Sequence, residues 1–317
     1  MFHYYTFIND ELHRQDSMQE STQWIHLEAP DPHEISELIA NYQLPRDYVT
    51  AILDDAENSR CEQLKQPHFA KQPALVLVQF PRKVAKNQYE TYPLSIIFTH
   101  TPLVITVSKF PPILFDTCTT DQVPFFVNSP EVHWKISFPI LWCLSHSFNL
   151  YLKEIKLQLQ QIEQQIKVST ENQQLYYMLE SQKSLVLIES ATKNNLETLM
   201  IFSKSEPIKE SDLLANYMQD ILIETKQSVS SASIHLRLID QINNTFSAIV
   251  SNNLNNVMKF LTSLTLVLTI PTIIGGIYGM NVTLPFEDSK IAFWLIALIT
   301  ASLCITAITI LKKKNLL

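Results

Sequence analysis

Apolar positions change rhythm twice along this chain. In residues 1–130 they come in short runs. Leu75–Phe80, Leu94–Thr99 and Leu103–Ser108 are rich in Val, Ile and Phe and are punctuated by Pro81, Pro93 and Pro102, the pattern of strands in one sheet. Trp24-Ile25-His26-Leu27 reads as another strand. Asp31–Tyr42 reads as a helix, with Asp31 as N-cap, Pro32 at the first helical position and Glu34 completing a capping box. Residues 1–136 are therefore predicted to form an α/β domain.

From about Ser137 the spacing turns helical. Ile140–Lys167 and Leu175–Ser203 are rich in Leu, Gln, Glu and Lys, and the polar break Ser169-Thr170-Glu171-Asn172 separates them. They predict an antiparallel helical hairpin. Pro207 is expected to open a third helix. No proline or glycine occurs from Ile208 to Ile270, so that helix can run unbroken through a helical region, 137–258, and onward.

Charge then nearly disappears. Lys259 is the last charged residue before Glu287. Phe260–Tyr278 and Ile291–Leu311 are two uncharged, mostly apolar runs, each long enough for a hydrocarbon core of ~30 Å. A buried soluble helix is the alternative for either run. Two of them ending in Lys312-Lys313-Lys314 favour membrane spans. Residues 259–317 thus read as a transmembrane domain, with spans near 260–278 and 291–311 and a connecting loop, 279–290. That loop carries Glu287, Asp288 and Lys290, while the lysine-marked ends fall on one side. The positive-inside rule predicts cytoplasmic termini and an external loop.

Composition narrows the function classes. The 317 residues carry net charge -7, which argues against a nucleic-acid partner. Cys61, Cys118, Cys143 and Cys304 are far apart, so neither a disulfide framework nor a zinc site is expected, and a reducing cytoplasm suits the bulk of the chain. Met1-Phe2-His3-Tyr4-Tyr5 has no basic region or apolar run of a secretory leader. The histidines are scattered without metal-ligand spacing, and no Walker-type loop occurs, so neither an enzyme nor a bound cofactor is predicted. All three glycines, Gly275, Gly276 and Gly279, fall within five residues. A tight backbone approach or an unusual turn is expected there.

The first apolar run carries a polar stripe. Ser251, Asn255, Met258, Thr262, Thr265, Thr269, Thr272 and Gly276 recur at spacings of three and four and share one helical face. Two readings stand. The hydroxyls bond back to their own backbone at a helix–helix contact, or they line a water-filled pore. A pore needs several copies, because one helix encloses nothing.

Tyr278-Gly279-Met280-Asn281 follows directly. This tetrapeptide between two terminal spans resembles the signature of the CorA magnesium-transporter family. The stretch Ser251-Asn252, Asn255-Asn256-Val257-Met258-Lys259 and Leu261-Thr262 resembles the family's inner pore entrance. The Trp24 strand and Leu53-Asp54-Asp55-Ala56-Glu57-Asn58-Ser59-Arg60 resemble its N-terminal domain.

The resemblance implies a homopentameric funnel in the plasma membrane, with an α/β cytoplasmic domain, long stalk helices and two transmembrane helices. It implies import of hydrated magnesium, with cobalt and nickel as surrogates. Gly279, Met280 and Asn281 would form the selectivity filter, with Asn281 touching the ion through its hydration shell. Asn255, Met258, Leu261, Thr269, Thr272 and Gly276 would line the conduit, joined by Thr262 and Thr265 of the stripe. Glu287 and Asp288 would concentrate cations outside. Many family members carry a bulky apolar residue where this chain has Thr269, which leaves a hydrophobic gate to Met258 and Leu261. The family closes when magnesium bridges acidic residues between subunits. Asp220 matches the stalk acid, but its usual partner falls at Pro81-Arg82-Lys83, which is basic. Arg82 or Lys83 would then pair with Asp220 of a neighbour, or the response would pass to Asp54, Asp55 or Glu57. The zinc-transporting branch is an alternative, though its members tend to vary the residue at Met280. A membrane-anchored structural or sensor protein is another, and it leaves the polar stripe and Asn281 unexplained.

Overall fold

The structure is a computed structural model. It describes the chain except residues 9–10, 65–71, 113–128, 130, 167–171, 281–290 and 315–317. The chain divides into two compact units, Met1–Ile242 and Asn243–Leu317.

The first unit is built on a sheet of β1 (Phe2–Ile8), β2 (Glu11–Gln15), β3 (Trp24–Glu28), β4 (Arg60–Glu62), β5 (Ala74–Ala85), β6 (Gln88–Phe98) and β7 (Val104–Ser108). Their order is β2-β1-β3-β7-β6-β5-β4, and of these pairs only β3 and β7 run parallel. Both faces are covered, which explains the continuous apolar runs. Ile25, Leu27, Leu75, Leu77, Ile105 and Val107 pack under α1 (Pro32–Tyr42) and α2 (Arg46–Thr50), against Leu38, Tyr48 and Val49. Their neighbours of opposite parity, such as Val76, Val78, Ile96 and Phe98, pack against long helices through Trp134, Phe138, Leu199 and Phe202. Asp31 caps α1 as the sequence predicts: it accepts from Glu34 N–H at 2.8 Å, and Glu34 accepts from Asp31 N–H at 3.1 Å. At the sheet centre, burial pushes the pKa of His26 down to about 3, so the imidazole sits neutral beside Thr106 Oγ1 at 2.9 Å.

Four sequence expectations change. First, β1 and β2 were not foreseen. Phe2–Ile8 is aromatic and β-branched but not alternating, and Glu11–Gln15 is a short polar strand at the sheet edge.

Second, Pro81 and Pro93 lie inside β5 and β6, not at their ends. Gln79 pairs with Pro93, and Pro81 pairs with Thr91. The Asn195 side chain holds both backbone groups of Gln79 at 2.8 Å, so at this parity β5 turns its backbone away from β6. Pro81 lies beyond β4, which pairs only with Leu75–Leu77. Pro93 lies beyond the β7 pairing, which begins at Leu94. Neither proline has a ladder bond to lose.

Third, the first long helix, α3 (Val132–Ile166), starts earlier than expected and contains Pro139. It packs on α4 (Asn172–Phe202); most of the polar break lies outside the described residues. Fourth, Pro207 opens only the short α5 (Glu206–Glu210), because Ser211 is extended at φ -117° and ψ 110°. The long helix is α6 (Asp212–Tyr278), and α7 (Ala292–Lys313) follows it.

Asn195 of α4 does the work of a missing strand at the edge of β5. Asn195→Leu is expected to leave Gln79 N–H and C=O buried and unpaired, at a cost of about 1–3 kcal/mol. Chemical denaturation of the detergent-solubilised chain measures it. A change within error would mean that the edge finds other partners.

Candidate functional site

The first half of α6 is fastened to α3 by a polar seam. Ser145 Oγ lies 2.9 Å from Thr225 Oγ1. Asn149 Nδ2 donates to the Glu224 carbonyl at 3.1 Å and to its carboxylate at 2.9 Å. His146 Nδ1 is 2.8 Å from Glu224 Oε1, and the Trp142 ring stacks on His146 at 4.9 Å. Sequence reading did not single out these residues. The signal was a set of polar positions, Ser145 and Asn149 among them, inside an otherwise apolar helical face.

The second half of α6 and the whole of α7 are each long and apolar enough to cross a membrane. Only 6% of the residues in the most apolar stretch of each are buried in the single chain, which a soluble core helix would not tolerate. Asn255, Met258, Leu261, Thr262, Thr265, Thr269, Thr272 and Gly276 all lie on α6 and are all exposed. On the other side, Ser263 is buried and Val267, Ile270 and Ile274 are half-buried. At ~100° per residue this set lies about 150° around the helix from the stripe. The stripe thus lies within the surface that α7 leaves open.

Three of its hydroxyls have a definite polarity. Thr265 donates to the Leu261 carbonyl at 2.8 Å, Thr269 to Thr265 at 2.7 Å and Thr272 to Leu268 at 2.9 Å. Each proton is used inside the helix, and each oxygen keeps lone pairs for an outside donor. The bland reading of the stripe and the sharper one are therefore compatible: back-bonded threonines still present a row of acceptors.

Tyr278 ends α6. Gly279 N–H then bonds to Gly275 O at 3.0 Å and Met280 N–H to Ile277 O at 3.2 Å. A Cβ on Gly279 would meet Gly275 O at 3.2 Å, so close approach is what glycine serves here. The unusual turn expected of the glycines takes a different form: none of the three has a positive φ. Asn281, Glu287 and Asp288 lie outside the described residues.

The structure also places the remaining candidates. Lys83 forms an ion pair with Glu154. The Arg82 guanidinium lies over the Phe110 ring at 4.2 Å, and among the described residues it forms no ion pair. Asp55 holds Lys109 with two contacts of 2.8 Å. Asp54 accepts from Ala56 N–H at 3.0 Å, and Glu57 pairs with Arg60. Asp220 is exposed on α6 and, among the described residues, forms no ion pair. Within one chain Asp220 is not brought to either Arg82 or Lys83.

A family model described as "CorA-like Mg2+ transporter protein" matches residues 19–313. The chain belongs to the CorA-like family. The "Cobalt/magnesium transport protein CorA" of Methanocaldococcus jannaschii is 21% identical over 180 residues, 56% of each chain. The "Magnesium transport protein CorA" of Helicobacter pylori is 30% identical over 101 residues, 32% of each chain. The matched segments thus span 56% and 32% of those relatives' own lengths. The complete structure of the CorA magnesium transporter from M. jannaschii superposes with a TM-score of 0.81, covering 98% of this chain and 96% of that one at 18% identity. That likeness is one of fold. It extends to the soluble α/β part, the long helix and the two C-terminal apolar helices.

Proposed function

We propose that this CorA-like protein is a channel for hydrated divalent cations, magnesium foremost, in which copies of α6 surround a pore. The observation that carries this reading is the acceptor face of α6, exposed opposite α7. A metal-bound water turns its oxygen to the ion and its hydrogens outward. A wall that has already spent its hydroxyl protons on its own helix offers those hydrogens lone pairs. It passes the hydrated ion without stripping it, which suits magnesium because magnesium dehydrates reluctantly. The relatives' names, which specify magnesium and cobalt, support the same substrate class.

In this reading the assembly is a homopentamer in the plasma membrane. Residues 1–136 form a cytoplasmic α/β domain, 137–258 the helical hairpin and stalk, and 259–317 the membrane domain. Both termini are cytoplasmic, and lipid surrounds α7. Met258 and Leu261 supply the apolar constriction. Gly279, Met280 and Asn281 form the outer filter, where a carboxamide ring accepts from the hydration shell and releases the ion more readily than carboxylates would. Glu287 and Asp288 raise the cation concentration at the mouth. The membrane potential drives entry, at ~2.3 kcal/mol per charge per 100 mV.

Closure follows a local rule in this chain. Lys83 is committed to Glu154, which leaves Arg82 as the cation for Asp220 of a neighbouring copy. A guanidinium stacked on Phe110 keeps its edge donors available for a carboxylate. A cation at this position repels magnesium.

Cysteines at Thr265 and Thr272 are expected to cross-link between copies, and cysteines at Leu264 and Val267 are not. Equal cross-linking at all four removes the pore-face assignment. Asn281→Ala is expected to abolish magnesium uptake into proteoliposomes without loss of assembly, and Asn281→Asp to slow it by tighter binding. Uptake retained by a well-assembled Asn281→Ala chain would falsify the filter. Internal magnesium is expected to inhibit the native channel only weakly, and Asp220→Ala to loosen the closed state. Steep closure at low magnesium, lost on Asp220→Ala, would instead make Asp220 a metal ligand. Current recordings on wild type, Asp220→Ala and Arg82→Asp distinguish the two.

A further inference from the structure

Pro271 lies inside α6. It has no N–H, so the carbonyl four residues earlier, on Val267, has no intrahelical donor. In a hydrocarbon environment a freed carbonyl must find a partner on a neighbouring helix. Cys304 of α7 takes that place: its Sγ lies 3.9 Å from Val267 O, with the thiol as donor. A thiol is a weak donor, and at this distance it holds lightly.

Close by, the two helices part. Pro271, Gly275 and Tyr278 of α6 and Phe293 and Ala297 of α7 border an apolar crevice of about 370 Å³. A Cβ built on Gly275, which borders this crevice, would meet nothing within 4 Å. The segment after Pro271 therefore lacks one helical bond at its base and has free space on its α7 side. Thr272 and Gly276 belong to that segment, and Gly279-Met280-Asn281 follows it directly.

We propose that Cys304 is a positioning residue for the outer end of α6. Its thiol, bonded to the carbonyl that Pro271 frees, fixes the direction in which the helix leaves the proline. It thereby fixes the orientation of Thr272, Gly276 and Gly279 toward the ion path. This inference rests on the channel reading, and it assigns α7 a role beyond anchoring. Without the thiol the segment moves into the crevice, and fewer copies hold the filter residues in register.

A double-mutant cycle isolates the bond. Pro271→Ala restores a backbone N–H to Val267 O and makes the thiol redundant. In the native background Cys304→Ala is expected to lower the initial rate of magnesium uptake about threefold, the low end for one lost hydrogen bond. In the Pro271→Ala background the same change is expected to cost less than about twofold. An equal loss in both backgrounds means that the sulfur only fills space, and it overturns the proposal, as does no loss in either. If Cys304→Ala fails to assemble, Cys304→Ser, which keeps a donor, is compared with Cys304→Val, which keeps the volume. Better uptake by Val than by Ser overturns the proposal. The same cycle read on the thermal midpoint of the solubilised full chain is independent of transport. Coupled midpoints with no wild-type uptake would remove the channel reading and leave the bond. Wild-type uptake with uncoupled rates and midpoints would remove the bond and leave the channel.

Discussion

A backbone N–H or C=O taken out of water needs a hydrogen-bond partner, and this requirement shapes both units of the molecule. In the sheet it explains why Asn195 reaches over the end of β4 to hold Gln79, and why Ser184 accepts from Tyr89 N–H at 2.9 Å. Side chains of α4 stand where a longer edge strand would otherwise be needed. In the second unit it explains why a proline inside an apolar helix is tolerated: the orphaned carbonyl lies beside a thiol of the partner helix. The same physics sets the threonines. Thr265, Thr269 and Thr272 each give their proton to the carbonyl four residues earlier, and their oxygens keep lone pairs free.

That outward face gives the conduction surface its chemistry. A cation that keeps its water shell meets the wall through hydrogens, so the wall must accept and not donate. Threonines that have already donated meet this condition without any formal charge, and weak, repeated acceptance is compatible with fast release. Formal charge is kept off the face altogether: no Asp, Glu, Lys, Arg or His lies between Lys259 and Glu287. The first half of α6 has the opposite character. It is fixed to α3 by Glu224, Thr225 and their partners, a contact of buried and half-buried polar groups. One helix thus combines a polar seam with an apolar span.

Legibility in the sequence followed the range of the deciding interaction. The capping box at Asp31 and the strand at Trp24 are local, and so are the two apolar runs; each was readable. The strand prolines were not. Whether Pro81 ends a strand depends on whether a neighbour is present on its N–H side, and only the short length of β4 settles that. The break at Ser211 does carry a local signal, passed over for Pro207: Ser211 is an N-cap residue, its Oγ accepting from Leu214 N–H at 3.4 Å. The stripe was visible as a periodicity, but the direction of its protons was not.

The sequence by itself determined the class of molecule. Two uncharged runs with a lysine stop, a glycine cluster and the Gly-Met-Asn between them are one-dimensional signals, since membrane insertion reads hydropathy and charge along the chain. Tertiary structure decided the partners. It placed Cys304 of α7 beside the Val267 carbonyl, gave Lys83 to Glu154 and Arg82 to Phe110, and turned the threonine face away from α7. These outcomes depend on which helix face meets which neighbour, and that is fixed by packing among residues tens of positions apart, where no local pattern carries the information.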